Sequence, residues 1–513
     1  MSKCPHPTWF FSLNLQNFRT YELMKYTRLI LSSLFLFFTS IAQAATYYVS
    51  TNGIDTNNGT SLSTPFKTLA KACGLSTLTA GDQIVVRGGS YSITATVTLS
   101  KSGTTAAPIR LVTYNGERAL LNFNGIAAGK RGLSLTGSYW YINGLDVSKA
   151  TDNGIIINGA YNTVEFCSFY DNGDSGMQLS GGAHDNKILN CDSYWNADPT
   201  DYGDADGFAC KMDVGSNNYF NGCRSWLNVD DGWDGYLRGA DSVYTVVENC
   251  WTWRNGYFKD GTDAGANANG NGFKMGGSDN KLLKHNFTLR NCISFYNKAK
   301  GFDQNNNKGS MILVNCTGYG NVGYDFSVPT TLPAGSVCTV TNCVDVVKTK
   351  VSLGSFVSQT TNSWLSPFTV TNDDFASLDS LGVTGKRNAD GSLPKLNFLH
   401  LKAGSHLINA GTNVGLPYIG TAPDLGAYEF DPGNGLKSIL NTTAAPFFNG
   451  DDLILQNQAD FSNCTLFDIQ GKQLVHASLT DRMTTLHCNH LKKGVYVVVL
   501  AGVSGVQRIK LTK

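Results

Sequence analysis

The stretch CSFYDN at Cys167–Asn172 decides the fold because it returns five times. Its copies are CDSYWN (Cys191–Asn196), CRSWLN (Cys223–Asn228), CWTWRN (Cys250–Asn255), CISFYN (Cys292–Asn297) and CTGYGN (Cys316–Asn321). Successive cysteines stand 24, 32, 27, 42 and 24 residues apart. A core unit of about two dozen residues therefore recurs while extra residues enter between fixed points, as loops do on a solenoid. A glycine followed by an apolar or aromatic residue opens each unit, at Gly154-Ile155, Gly176-Met177, Gly207-Phe208, Gly235-Tyr236, Gly272-Phe273 and Gly301-Phe302. Segments such as Ile155–Ile157 and Tyr244–Val247 are short, β-branched and bounded by Gly, Asn, Asp or Ser, so each unit reads as strand, turn, strand, turn.

This pattern predicts an all-β right-handed parallel β-helix, in which coils stack about 4.8 Å apart and bury their inward side chains on one another. Equivalent residues then form columns. The asparagine that closes each motif is expected to hydrogen-bond coil after coil as an internal turn ladder. Seven of the 13 cysteines, the six above and Cys343, share one repeat position. Their parallel side-chain directions suit bridge geometry poorly, so buried free thiols are expected rather than a disulfide framework. Cys464 and Cys488, near the C-terminus, are the pair that could be bridged.

Net charge is +1 and charged residues make up only 15% of the chain. That balance argues against nucleic acid as a partner, and it requires any polyanionic ligand to be met locally, by a metal or a few cations. Lys25 and Arg28, the apolar run Leu29 to Ile41 and Ala42-Gln43-Ala44 form a cleaved secretory signal, with Met24 the better start and the mature chain beginning near Ala45. No later run is long enough to span a bilayer. The expected organisation is a signal region at 1–44, a β-helix at 45–432, a linker at 433–440 and a small C-terminal β-sandwich at 441–513, in a monomer that is secreted, at the cell surface or periplasmic. Thr64-Pro65 is expected to open a short helix that caps the solenoid. The breaker cluster Asp431 to Gly435 marks the boundary before the last segment.

Chemistry concentrates in DADGFACK (Asp204–Lys211), NVDDGWDGY (Asn228–Tyr236) and NGNGFKMGG (Asn269–Gly277). Alignment on the glycines 207, 235 and 272 puts Asp206, Asp234 and Asn271 in one column, with Asp230 and Asp231 at the preceding turn. Four carboxylates in neighbouring coils repel unless a cation lies between them, and hard oxygen donors suit Ca2+. Lys274 follows inward Phe273 and so should point outward beside the acidic cluster, where a divalent cation would favour its free amine. Calcium beside a lysine base on a β-helix suggests β-elimination of a uronate polysaccharide, the amine taking the C5 proton.

These three blocks and KGFDQNNN (Lys300–Asn307) resemble the signature blocks of the family 9 polysaccharide lyases, pectate-lyase-like β-helix enzymes, over about Ala45 to Phe430. The resemblance implies that Asp206, Asp230, Asp231 and Asp234 are calcium ligands, that Lys274 is the Brønsted base, and that the substrate is an acidic pectic polysaccharide, either polygalacturonate or rhamnogalacturonan I. Lys211, Arg238, Asp303 and Lys308 are candidates for contacts to neighbouring sugars. The segments Gly471–Leu474, Gly494–Leu500 and Arg508–Leu511 resemble C-terminal sorting domains of type IX secretion. Two other functions fit a β-helix with clustered aspartates. One is a metal-independent hydrolase of the polygalacturonase type, with Asp230 and Asp231 as acid and base. The other is a glycan-binding β-helix without catalysis.

Overall fold

The computed structural model describes residues 44–346, 349–388, 390–431, 447–449, 451–456, 463–468, 472–479, 483–502 and 505–513. The signal region, apart from its last residue, and the linker lie outside these residues. The chain divides into two compact units, Met1–Tyr219 and Phe220–Lys513.

In the first unit each coil contributes one short strand to each of three parallel sheets. The coil around the first motif runs Ile155–Ile157, Thr163–Glu165, then Ser168–Tyr170. These pair in parallel with Met177–Leu179, Lys187–Leu189 and Asp192–Tyr194 of the following coil. Among the described residues the α-helix of this unit is Leu69–Cys73, which buries Leu69, Ala72 and Cys73 against the strands of the first coil and covers that end, and one 3-10 turn follows at Tyr114–Gly116. The helix starts later than Thr64-Pro65, because Thr68 is the residue whose Oγ accepts the Lys71 amide, at 3.2 Å, and so caps it.

The second unit repeats the plan with Trp233–Asp234, Phe273–Lys274, Phe302–Asp303, Phe326–Val328 and Val351–Leu353 in the sheet that carries the candidate site. Inward from that sheet runs a column of aromatic rings, Trp233, Phe273, Phe302 and Phe326, with centroids 4.8, 5.2 and 4.8 Å apart. On another sheet, the outward residues Trp226, Trp253 and Phe295 stack 4.9 and 5.4 Å apart. They are covered by the segment that follows the last coil: Phe398 packs on Phe295 at 4.8 Å, and Arg224 donates to the carbonyls of Val383 and Gly385, both at 2.9 Å. The fading of the repeat after Cys343 thus marks a strap over an apolar outer face.

The asparagine ladder forms in both units. Asn172 Nδ2 donates to Asn196 Oδ1 at 3.0 Å. Asn228, Asn255 and Asn297 each donate to the next asparagine, Asn255, Asn297 and Asn321, at 2.9 Å, and Asn321 ends on Asp325 at 2.6 Å. The seven repeat cysteines are buried free thiols. The residue before each of them, from Phe166 through Asn190, Gly222, Asn249, Asn291 and Asn315 to Asn342, has φ between 51° and 65°. This left-handed turn explains the asparagine or glycine found there in all but the first copy.

Two antiparallel sheets follow in the second unit. One holds Phe447–Asn449, Asp452–Gln456 and Met483–His487; the other holds Asn463–Asp468, Gln473–Ser478, Val495–Gly502 and Gly505–Thr512. Cys464 and Cys488 are unbridged thiols in the apolar cluster with Leu453, Leu466, Val498 and Leu500.

Candidate active site

The acidic block folds differently from the sequence alignment. Trp233 pairs with Phe273, and Asp234 with Lys274, so the repeat glycine of this coil is Gly232 and not Gly235. Packing confirms the assignment. A Cβ on Gly232 would meet Thr252 Oγ1 and Asn255 Nδ2, just as one on Gly272 would meet Ser294 Oγ and Asn297 Nδ2, whereas Gly235 faces the Phe287 ring. Asp231 therefore shares a column with Asn271, and Asp234 stands beside Lys274.

This register builds the site. Lys274 projects from the outer face but is nearly buried, its side chain 9% exposed. Its Nζ lies 2.9 Å from Asp231 Oδ2 and 3.4 Å from Asp234 Oδ1. Asp231 turns its other oxygen to the backbone amide and side-chain amide of Asn271, at 2.7 and 2.9 Å, and Asp230 Oδ1 accepts from the Asn269 amide at 2.6 Å. Asp234 Oδ1 accepts from the Tyr236 amide at 2.9 Å. Burial raises the Asp231 carboxyl above its ordinary range, against the downward pull of the Lys274 ammonium.

The turn after Lys274 is braced from the next coil. Gly276 and Gly277 have φ of 129° and 106°, and a Cβ on Gly276 would strike Asn307. Asn307 Nδ2 donates to the carbonyls of Met275 and His285 at 2.7 and 2.6 Å, and Asn305 Nδ2 to that of Gly276 at 3.0 Å. The KGFDQNNN block is thus the support for the lysine turn, a role that residue type alone did not reveal. His285, fully buried, bonds the Gly235 carbonyl and the Thr245 hydroxyl, both at 2.8 Å, and burial depresses its pKa to about 4.

In the first unit Asp206 is fully buried; its Oδ2 lies 2.7 Å from Lys211 Nζ and 3.1 Å from Ser175 Oγ. Lys211, one of the residues expected to contact neighbouring sugars, is buried with its ammonium against Asp206. Asp303 is also buried and pairs with Lys300 at 2.9 Å, and Lys308 donates to the Thr331 carbonyl at 2.9 Å. Arg238 alone of the four candidate contacts is widely exposed, its side chain at 57%.

Calcium is the metal that the family resemblance implies, and the donor set fits it. Asp231 and Asp234 are buried carboxylates against one lysine ammonium, and Asp230, next in sequence to Asp231, is buried as well, so these hard oxygens carry like charges that call for more positive charge than Lys274 supplies.

Comparison with known proteins agrees with this architecture. Residues 47–335 match the family described as "Pel9A-like, right handed beta helix region". Pectate lyase L of Dickeya dadantii (strain 3937) is 36% identical over 406 residues, 76% of this chain and 92% of that protein. The crystal structure of pectate lyase Pel9A superposes with a TM-score of 0.68 at 35% identity, covering 76% of this chain and 98% of that one. A rhamnogalacturonan lyase superposes with a TM-score of 0.58 at 25% identity, covering 70% and 97%. A repeat that stacks as a parallel β-helix, and relatives aligned across most of their own length, lead to one assignment: the chain belongs to the Pel9A-like, right-handed β-helix family of polysaccharide lyases.

Proposed function

We propose that the protein cleaves galacturonate-containing pectic backbones, polygalacturonate or rhamnogalacturonan I, by calcium-dependent β-elimination, with Lys274 as the base and Asp206, Asp230, Asp231 and Asp234 as the metal ligands. The observation that carries the reading is a lysine on the outer face of the sheet, nearly buried, with its amine against Asp231 and Asp234. A solubilising lysine would extend into water; this one is held at a fixed point by charge and by the braced turn behind it.

Bound at these carboxylates, Ca2+ would draw them away from Lys274 and neutralise the uronate carboxylate, acidifying the proton beside it. The neutral amine of Lys274 then accepts the C5 proton, the electron pair forms the C4–C5 double bond, and the C4–O bond breaks with its electrons on the departing oxygen, which takes a proton from water. Asn271, tied to Asp231, and the Asn305 and Asn307 brace keep the base in place through this transfer. The apolar run before Ala45 and the C-terminal strands further support a secreted or surface-displayed enzyme, the last segment serving as a sorting domain.

The test is to incubate the protein with polygalacturonate and with rhamnogalacturonan I, with and without Ca2+, and to follow the ultraviolet absorbance of the new double bond. Products that lack that absorbance, formed equally well in chelator, would establish hydrolysis instead.

A further inference from the structure

Beside the base, at the rim of the same sheet, stands a second cation whose place the elimination chemistry does not use. Tyr236 follows Asp234 by two residues, and its ring centroid lies 5.6 Å from Lys274 Nζ and 5.7 Å from Arg238 Cζ. The amine and a guanidinium therefore share one aromatic ring. The ring is fixed at its far end, where the Tyr236 hydroxyl donates to Asp279 Oδ1 at 2.7 Å. Asp279 Oδ2 also accepts from Arg238 Nε at 3.1 Å, so tyrosine and arginine are oriented by the same carboxylate. The backbone beneath is held as well, since the Leu237 amide donates to the Gly277 carbonyl at 2.9 Å.

We propose that Arg238 is a specificity-determining residue that binds the carboxylate of the sugar next to the one cleaved, so that the enzyme prefers a backbone with uronates on adjacent sugars. This rests on the proposed lyase reaction at Lys274. Three features of the cluster support it. The ion pair with Asp279 is exposed on both sides, 57% and 67%, and such a pair is weak, so an incoming carboxylate can share the guanidinium without a large penalty. The pairing through Nε leaves further N–H groups of the planar fork for a second carboxylate, which a lysine could not bind in the same bidentate way. The two cations share one ring, which is a spacing suited to neighbouring sugars in one chain rather than to distant ones. A backbone with galacturonate at every position presents a carboxylate there; one in which galacturonate alternates with a neutral sugar does not.

The experiment compares wild type, Arg238→Gln and Arg238→Lys on polygalacturonate and rhamnogalacturonan I, reading kcat and KM separately by absorbance of the unsaturated product, with thermal unfolding as the control for folding. Wild type should prefer polygalacturonate. The Gln variant should lose roughly ten- to a hundredfold in kcat/KM on that polymer, mainly through KM, as a lost charge-assisted hydrogen bond predicts. It should change little on the alternating backbone, and the Lys variant should recover part of the loss. Equal losses on both polymers, an unchanged KM on polygalacturonate, or a wild type that prefers the alternating backbone would each overturn the assignment. Absence of unsaturated product from wild type on either polymer would instead refute the lyase reading itself.

Discussion

Replacing Lys274 separates two roles that the structure joins in one side chain. Its amine is both the proposed proton acceptor and a countercharge for Asp231 and Asp234, which are 0% and 5% exposed at their side chains. Removing one partner of a buried ion pair typically costs about 3–5 kcal/mol, because the other charge stays buried. Unfolding entropy near about 2.1 cal/mol/K per residue, over a β-helix of about 390 residues melting together, makes ~4 kcal/mol a fall of only ~5 °C in Tm. Lys274→Ala should therefore remain folded while melting a few degrees lower in chelator. Added Ca2+ should restore the Tm, since it supplies positive charge to the same carboxylates, but should not restore turnover, which should stay down on the order of a hundredfold or more without a proton acceptor. Lys274→Arg keeps the countercharge and should melt near wild type, yet be as inactive, because a guanidinium stays protonated. The assays are scanning calorimetry with and without Ca2+ and initial rates by product absorbance. Near-normal turnover in either variant would refute the role of Lys274 as base, and Lys211 or Lys300 would become the next amine to examine.

Excess chelator should abolish activity and Ca2+ restore it, and Asp231→Ala should mimic chelation; full activity in chelator, measured by product absorbance, would sink the metal reading. Asn255→Ala strips a rung from the asparagine ladder and removes the Oδ1 that accepts from the backbone and side-chain amides of Asn228, whose side chain keeps its bond to Ser225 Oγ, so denaturant titration should show a loss of about 1–3 kcal/mol, with a loss under about half a kcal/mol counting against the ladder as a stabilising device. His285 is neutral in the fold, with its pKa depressed to about 4, whereas the unfolded chain protonates near its ordinary value. Stability is thus complete above about pH 6.5 and falls by up to ~3 kcal/mol as pH drops to about 4, and His285→Gln should flatten that slope in Tm-against-pH curves. A chain running from Ala45 to Pro432 should keep lyase activity, because the C-terminal sheets close their own cluster around Leu453, Leu466 and Val498; an insoluble or inactive product would show that they cover part of the β-helix.

What the sequence by itself determined is the repeat. Each coil must satisfy the same turn and fill the same interior column, so Cys, Asn and Gly recur at fixed offsets, and stacked parallel strands, an asparagine ladder and buried thiols follow from that periodicity, whereas the third strand of each coil does not. The residues of the site were equally legible as types, since carboxylates crowded before the repeat glycine and a lysine after an inward Phe273 are conspicuous in a chain so poor in charge. Register was not legible. In NVDDGWDGY both Gly232 and Gly235 precede an aromatic residue, and local sequence cannot tell which pair enters the core. The choice belongs to packing: Trp233 fits the aromatic column above Phe273 and is 2% exposed, while Tyr236 stays half-buried at the rim. Three residues of shift move Asp234 from the column of Asn271 to the side of Lys274. The burial of Lys211 and Asp303, the brace from Asn305 and Asn307, and the meeting of Tyr236 and Arg238 with Asp279 were likewise decided by tertiary structure. The brace and the Tyr236, Arg238 and Asp279 cluster join residues from neighbouring coils, whose proximity arises only when one coil stacks on the next, while Lys211 and Asp303 find Asp206 and Lys300 within their own coils.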